Sequence, residues 1–275
     1  MTDLKQLESI AKEIRKKIFY MIYKAGGGHI APAFSIVELV TALYFKILRL
    51  DKDRLKDENR DRFVLSKGHA CAALYAVLVQ AGFAPEEVLS KFCQPDGIIG
   101  GHPDIGAIPG IEATTGSLGH GFPFSMGLAL GAKLDAKDYR VFTIIGDGEC
   151  QEGTVWEAAL FAAHQELDNL VAIIDYNKYQ ALEPIKDVLG LEPLKAKWES
   201  FNWAVKEVDG HNMEEIISVL DKVPFEKGKP NFVIAHTIKG KGISFMENVP
   251  IWHYRLPNEE ETKIALKELG MEGDL

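Results

Sequence analysis

The strongest constraint on the fold is a pair of short apolar runs, VFTII (141–145) and LVAIID (170–175), with a helical pattern between them. A strand, a helix and a strand of that size make a βαβ crossover, which sets the strands parallel with their carboxyl ends side by side. Gly146-Asp147-Gly148 leaves the first run and Asn177 follows the second. Ligands of open parallel sheets bind outside those ends. Asp147 and Asn177, thirty positions apart, are therefore expected at one place as two oxygen ligands. A hard divalent cation holding a phosphate wants ligands of that kind.

The rest of the chain supports the same class. Leu4, Leu7, Ile10, Ile14, Ile18, Met21 and Ile22 recur at helical steps, and Gly26-Gly27-Gly28 stops the pattern. Ser35 and Glu38 fit a capping box opening a second helix to about Leu48. The charged stretch from Asp51 to Arg62 reads as a solvated loop. A strand at 63–65, a helix over 70–81, a short helix from Pro85 to near Phe92 and a helix over 122–134 follow. Beyond Asn177 the pattern predicts an irregular stretch to Pro193, a helix over 194–202, a strand over 204–208, a helix over 213–223, a strand over 231–238 and a closing helix over 257–269. Five strands alternating with helices predict an α/β fold with a mostly parallel sheet flanked by helices. No repeat or linker-like shift in composition breaks the chain, so residues 1–275 are read as one domain.

Residues 94–121 hold eight glycines and three prolines. A loop that long inside a compact domain is uncommon and is functional or disordered. Its apolar side chains, among them Ile98, Ile99, Ile108 and Leu118, favour an ordered site loop.

The net charge of −9 argues against a general nucleic-acid surface. Cys71, Cys93 and Cys150 are widely spaced, which offers neither a disulfide framework nor a zinc site and suits a reducing cytosol. Met1 leads into a charged amphipathic segment and no long apolar run exists, so the expected chain is soluble and cytoplasmic, without a membrane partner. No GxGxxG follows a strand and no GxxxxGK[ST] occurs, which leaves out dinucleotide and Walker-type phosphate loops.

Four histidines stand beside glycine in loop contexts: His29, His69, His102 and His120. Clustered imidazoles offer neutral donors, acceptors and proton shuttles near physiological pH. His164, read as mid-helix, and His211, in a polar turn, are expected to be structural.

GDGECQEG followed by Asn177 resembles the thiamine-diphosphate motif, in which GDG precedes an Asn by about thirty residues. Its surroundings narrow the match. AGGGH (25–29), DRFVLSKGHA (61–70), GGHPD (100–104), TTGSLGHG (114–121) and KGKGISFMENVPIWH (239–253) resemble, in this order, the N-terminal half of transketolase. Similarity runs over almost the whole chain. Departures are His120, where glutamine is commoner, and Ile30 after His29, where proline often stands.

The resemblance implies a thiamine-diphosphate-binding fold and a role for each matching residue. Asp147, Asn177 and the backbone carbonyl of Tyr179 would hold Mg²⁺. Gly146, Gly148 and Glu149 would lie at the diphosphate, with Lys241 near its phosphate end. Gly116, Ser117 and Leu118 would touch the cofactor's rings. His29, His69 and His102 would line the reacting channel, His253 would move protons on a substrate hydroxyl, and Glu152 would support a partner's glutamate across an interface.

Long transketolases continue into a second domain that binds the aminopyrimidine, whereas this chain stops at Leu275. It therefore resembles the N-terminal subunit of a split transketolase. The implied partner is a separate C-terminal subunit, two of each forming a heterotetramer, with sugar phosphates as substrates and ketol transfer as the reaction. Alternatives are another thiamine enzyme of the 1-deoxyxylulose-phosphate synthase or 2-oxoacid dehydrogenase kind, a paralogue specialised for an unusual sugar, or a cofactor-binding scaffold. Gly101-His102-Pro103-Asp104 and Trp252-His253 favour transketolase over the other thiamine enzymes. A scaffold would not need the retained histidines together with Asp147 and Asn177.

Overall fold

The computed structural model describes residues 3–181 and 183–271; Met1, Thr2, Leu182 and the last four residues up to Leu275 lie outside them. The first helix, α1, spans Leu4–Ala25, capped by the Asp3 carboxylate at its start and by Gly26 with φ +71° at its end. The helices α2 (Ile30–Phe34) and α3 (Val37–Ala42) follow, the second running on as a π-helical turn over Leu43–Ile47. Next come β1 (Arg62–Leu65), α4 (Cys71–Gln80), α5 (Gly121–Leu134), β2 (Val141–Gly146), α6 (Gly153–His164) and β3 (Leu170–Tyr176). The remainder is α7 (Ile185–Val188), α8 (Leu194–Ser200), β4 (Ala204–Asp209), α9 (Met213–Leu220), β5 (Asn231–His236) and α10 (Glu259–Leu269).

The five strands form one parallel sheet in the order β1-β2-β3-β5-β4. Both faces are covered, so the central strands are apolar at nearly every position and distribute alternate residues between two cores. Phe142, Ile144, Val171, Ile173 and Val233 join the core under α1, α3, α4 and α9. Val141, Ile145, Leu170, Ala172, Ile174 and Phe232 join the core under α5, α6 and α8. Burying a side chain of this size is worth roughly 1.5–3 kcal/mol.

Two local expectations give way to tertiary contacts. Ser35 and Glu38 do not form a capping box. The helical region begins earlier, at Ile30, is interrupted at Ser35-Ile36, and α3 has no side-chain cap. Ser35 Oγ instead donates to Asp175 Oδ2 at 2.6 Å, across to β3. Glu38 binds Arg15 at 2.8 Å and His211 at 2.9 Å. Burial would raise its pKa, but the His211 and Arg15 hydrogen bonds and charges pull it down to about 2. Buried polar groups must find strong partners, and these outbid a local backbone bond.

The Asp51–Arg62 stretch is solvated up to Asp61, which is fully buried and bridges Arg49 and Arg140. Pro85 precedes a short 3-10 helix, Glu86–Lys91, rather than an α-helix. His164 is the last residue of α6, not a mid-helix position. His211 is structural as expected: its Nε2 accepts the Ile238 N–H at 2.8 Å while Nδ1 faces Glu38.

Candidate functional site

A cleft of about 280 Å³ opens at the carboxyl ends of the strands. Each wall comes from a turn just past a strand: Lys67 after β1, Asp147 after β2, Asn177 after β3 and Lys239 after β5. His29 and His253 close it from outside the sheet. This is where an open parallel sheet leaves peptide groups and side chains free for a ligand.

Strand register delivers the two oxygen ligands. Gly146 pairs with Asp175, so Asp147 and Asn177 leave neighbouring strands one and two residues further on. Asp147 Oδ1 accepts the Gly148 N–H at 2.8 Å and Oδ2 accepts the Lys178 N–H at 2.5 Å. Burial and the nearby Asp175 carboxylate push the Asp147 carboxyl up to about 7. A cation beside it would remove that penalty. Asn177 Oδ1 accepts the Tyr179 N–H at 3.0 Å, and Tyr179 lies in the cleft wall. The available donors are carboxylate, amide and carbonyl oxygens, the set that suits a hard divalent cation. No group of three or more His, Cys, Asp or Glu side chains among the described residues could hold a metal, so a site here would need non-protein oxygens as well.

The imidazoles cluster as a group. His29 stands 5.3 Å from His69 and 5.1 Å from His253, ring centre to ring centre, with His69 and His253 5.4 Å apart. His102 is on the outer side, 6.4 Å from His29 and exposed. Burial, then His102 and the Lys67 and Lys239 ammonium groups, push His29 down to about 4. Burial followed by Lys239 takes His253 to about 3, and burial holds His69 well below the usual range. These three rings are neutral at physiological pH. His253 Nδ1 is buried without a hydrogen-bond partner.

Other expected site residues divide into those that reach the cleft and those that do not. Gly116, Leu118, Gly146 and Gly148 line it. Gly116 has to be small, since a Cβ there would stand 3.2 Å from the His102 ring. Ser117 is exposed beside the cleft lining. Glu149 is in the wall, but its carboxylate is committed to the fold. It accepts the N–H groups of Gly146 and Gly119, each at 3.0 Å, and the Ser66 hydroxyl. Glu149 thus ties the loop after β2 to the 94–121 loop instead of facing a ligand. Glu152 is exposed at the start of α6, packed beside Gly119.

Lys241 is not in the cleft. Its ammonium pairs with Glu247 at 3.4 Å and it lines a separate groove with Arg15 and His211. Lys239, two residues earlier, is the basic residue of that turn that faces the cleft. It is buried and donates to the Gln180 carbonyl, and burial and Lys67 lower it to about 8. No carboxylate among the described residues pairs with it.

Sequence reasoning missed Lys67, Asp175 and Lys239. Lys67 and Asp175 form an ion pair sealed from solvent, and Lys67 also donates to the Pro32 carbonyl at 3.1 Å. For these two a signal was present. Asp175 is a charge closing a strand apolar on both faces, and Lys67 directly precedes the Gly-His pair.

Comparison with known proteins agrees with this geometry. Residues 7–274 match the family described as transketolase, thiamine diphosphate binding domain. One of the two subunits of an apulose-4-phosphate transketolase from Phocaeicola vulgatus is 41% identical over 268 residues, covering 98% of this chain and 95% of that one. A 6-deoxy-6-sulfo-D-fructose transketolase subunit from Clostridium sp. is 43% identical, with 97% of each chain covered. Among solved structures, a Pichia stipitis transketolase in complex with sedoheptulose 7-phosphate superposes with a TM-score of 0.90 at 30% identity. The match covers 96% of this chain and 40% of that longer one.

Proposed function

The chain belongs to the transketolase family through its thiamine diphosphate binding domain, and on that footing we propose that it is the diphosphate-binding subunit of a two-chain transketolase. In this reading residues 1–275 form a single cofactor-binding domain and a separate C-terminal subunit completes the active site. The observation that carries it is the convergence of Asp147, Asn177 and three neutral histidines on one cleft at the strand ends.

Asp147, Asn177 and the Tyr179 carbonyl would hold Mg²⁺, and the Gly148 turn with Lys239 would hold the diphosphate. When bound, thiamine diphosphate supplies the reactive carbon and the electron sink that two-carbon transfer requires. This chain's residues do the proton work. His253 Nδ1, unpartnered, is free to exchange a proton with a substrate hydroxyl, and His29 and His69 are neutral donors or acceptors beside it. Help of that kind is typically worth about 10²–10⁴-fold.

The partner requirement rests on two supports. Two relatives are named as subunits and are matched nearly end to end. Exposed Phe124, Leu160 and Phe161 on α5 and α6, with Glu152 at the start of α6, make an apolar surface for another chain. We propose two copies of each subunit, acting in the cytoplasm on ketose and aldose phosphates such as those of the pentose phosphate pathway. No helix among the described residues is long and apolar enough to cross a membrane.

A second reading, transfer to or from an unusual sugar, is favoured by Tyr254. This exposed side chain stands 4.8 Å from the His29 ring at the cleft mouth. The purified chain with Mg²⁺, thiamine diphosphate and a ketose phosphate should show no turnover until the partner subunit is added. Turnover by the chain alone would sink the two-chain proposal. A donor screen on the assembled enzyme, including apulose 4-phosphate and 6-deoxy-6-sulfofructose beside xylulose 5-phosphate, separates the two readings.

A further inference from the structure

An amide ligand has a problem that a carboxylate ligand lacks. Only one end of it can face a cation, and the other end repels it. Asn177 must therefore present Oδ1 and turn its NH₂ away if it is to serve the site proposed above.

Two contacts discriminate the ends. Asn177 Nδ2 donates to Asp175 Oδ2 at 2.9 Å, while Asn177 Oδ1 accepts the Tyr179 N–H at 3.0 Å. A flipped amide would set its oxygen against the Asp175 carboxylate and its NH₂ against a backbone N–H. Both contacts would become repulsive. Asp175 is itself held on all sides: Oδ2 also takes the Ser35 hydroxyl at 2.6 Å and the Lys67 ammonium, and Oδ1 takes the Thr237 hydroxyl. It is fully buried, so it is a fixed acceptor without room to turn.

We propose that Asp175 is a positioning residue: anchored by Ser35, Lys67 and Thr237, it sets the Asn177 amide so that its oxygen faces the cation site. The proposal rests on the reading of Asn177 as a cation ligand, but its orientation claim is testable without any metal. Outer-sphere partners of this kind typically change metal affinity or activity by about 10–100-fold. Lys67 has a role in this arrangement besides any contact with a phosphate, since it keeps Asp175 ionised and in place.

The test uses the full chain and the Asp175→Asn variant. Without metal, the Asn177 side-chain NH₂, identified by NMR from its disappearance in Asn177→Asp, should exchange with solvent at least about tenfold more slowly than exposed asparagine amides. Asp175→Asn should remove most of that protection; unchanged protection overturns the proposal. With thiamine diphosphate and the partner subunit present, Mn²⁺ affinity read by electron paramagnetic resonance should fall about tenfold or more in Asp175→Asn. It should recover in Asp175→Asn/Asn177→Asp, where the ligand has two equivalent oxygens and the amide has moved to position 175. Mn²⁺ affinity within about twofold of the parent in Asp175→Asn would also overturn it. If the unpaired Lys67 prevents folding, Lys67→Met/Asp175→Leu removes both buried charges and takes the place of the single variant. Absence of Mn²⁺ binding in the unaltered assembly would instead count against the proposed function, with the amide exchange still deciding the orientation.

Discussion

His29 and His253 meet edge to face, ring centres 5.1 Å apart, from the two ends of the chain. His29 leads into α2 and His253 ends the turn Pro250–His253 before α10. Their contact closes the cleft over the strand ends, and it makes charge on either ring costly.

That cost predicts a pH dependence. Both rings are depressed in the folded chain, to about 4 for His29 and about 3 for His253, against 6.5 for a free imidazole. The unfolded chain therefore takes up protons first as pH falls, so this contribution to stability is whole above pH 6.5 and is lost between there and pH 4. Thermal midpoints measured at neutral and at mildly acidic pH should converge in a His29→Gln/His253→Gln variant relative to the parent. Parallel declines in the two proteins would remove these histidines as the cause.

Asp147 is the one carboxylate of the pair that leaves β2 and β3 for the cleft. Replacing it with Ala should abolish Mg²⁺-dependent binding of thiamine diphosphate, measured by calorimetry on the assembled enzyme. The substitution also deletes acceptors for the Gly148 and Lys178 N–H groups, at a cost of about 1–3 kcal/mol in stability. Cofactor affinity equal to the parent's would refute the metal role.

Lys239 and Lys241 differ by two positions and face different parts of the molecule. Lys239→Met should weaken binding of inorganic diphosphate or thiamine diphosphate by tenfold or more, about 1.4 kcal/mol. Lys241→Met should leave it unchanged, because its partner is the part-exposed Glu247 and such pairs are worth about 0–1 kcal/mol. The reverse ranking would restore the sequence-based expectation.

Gly68 sits between Lys67 and His69 against the site loop. A Cβ there would stand 2.8 Å from the Thr115 carbonyl carbon and 2.9 Å from the Gly116 nitrogen, both backbone atoms that cannot rotate away. Gly68→Ala should cost about 1–3 kcal/mol in denaturant unfolding. It should also lower cofactor affinity, because Gly116 and His69 both line the cleft. A variant as stable as the parent would mean that the loop shifts freely, contrary to its anchorage by the Thr115 hydroxyl on the Leu65 carbonyl at 2.8 Å.

Much of the architecture was legible before any coordinates. Strand-length apolar runs, the glycine stop after α1 and the glycine-rich site loop all appear where periodicity and composition put them. These features are local, because backbone geometry and the need to cover both sheet faces leave few alternatives. The failures share one cause. Ser35, Glu38 and Asp61 read as cap or loop residues, yet all three are at least largely buried and bind residues distant in the chain.

The sequence alone determined the fold class, the parallel β2–α6–β3 crossover and the turns that bring Asp147 and Asn177 together, since strand polarity follows from chain length and apolar period. Only the tertiary structure decided which side chains turn inward: Lys239 and not Lys241, the Glu149 carboxylate toward backbone, and Asp175 beneath Asn177. The physical reason is that a buried charge or amide is costly until it is paired, and its partner is set by proximity in space, whatever the separation along the chain.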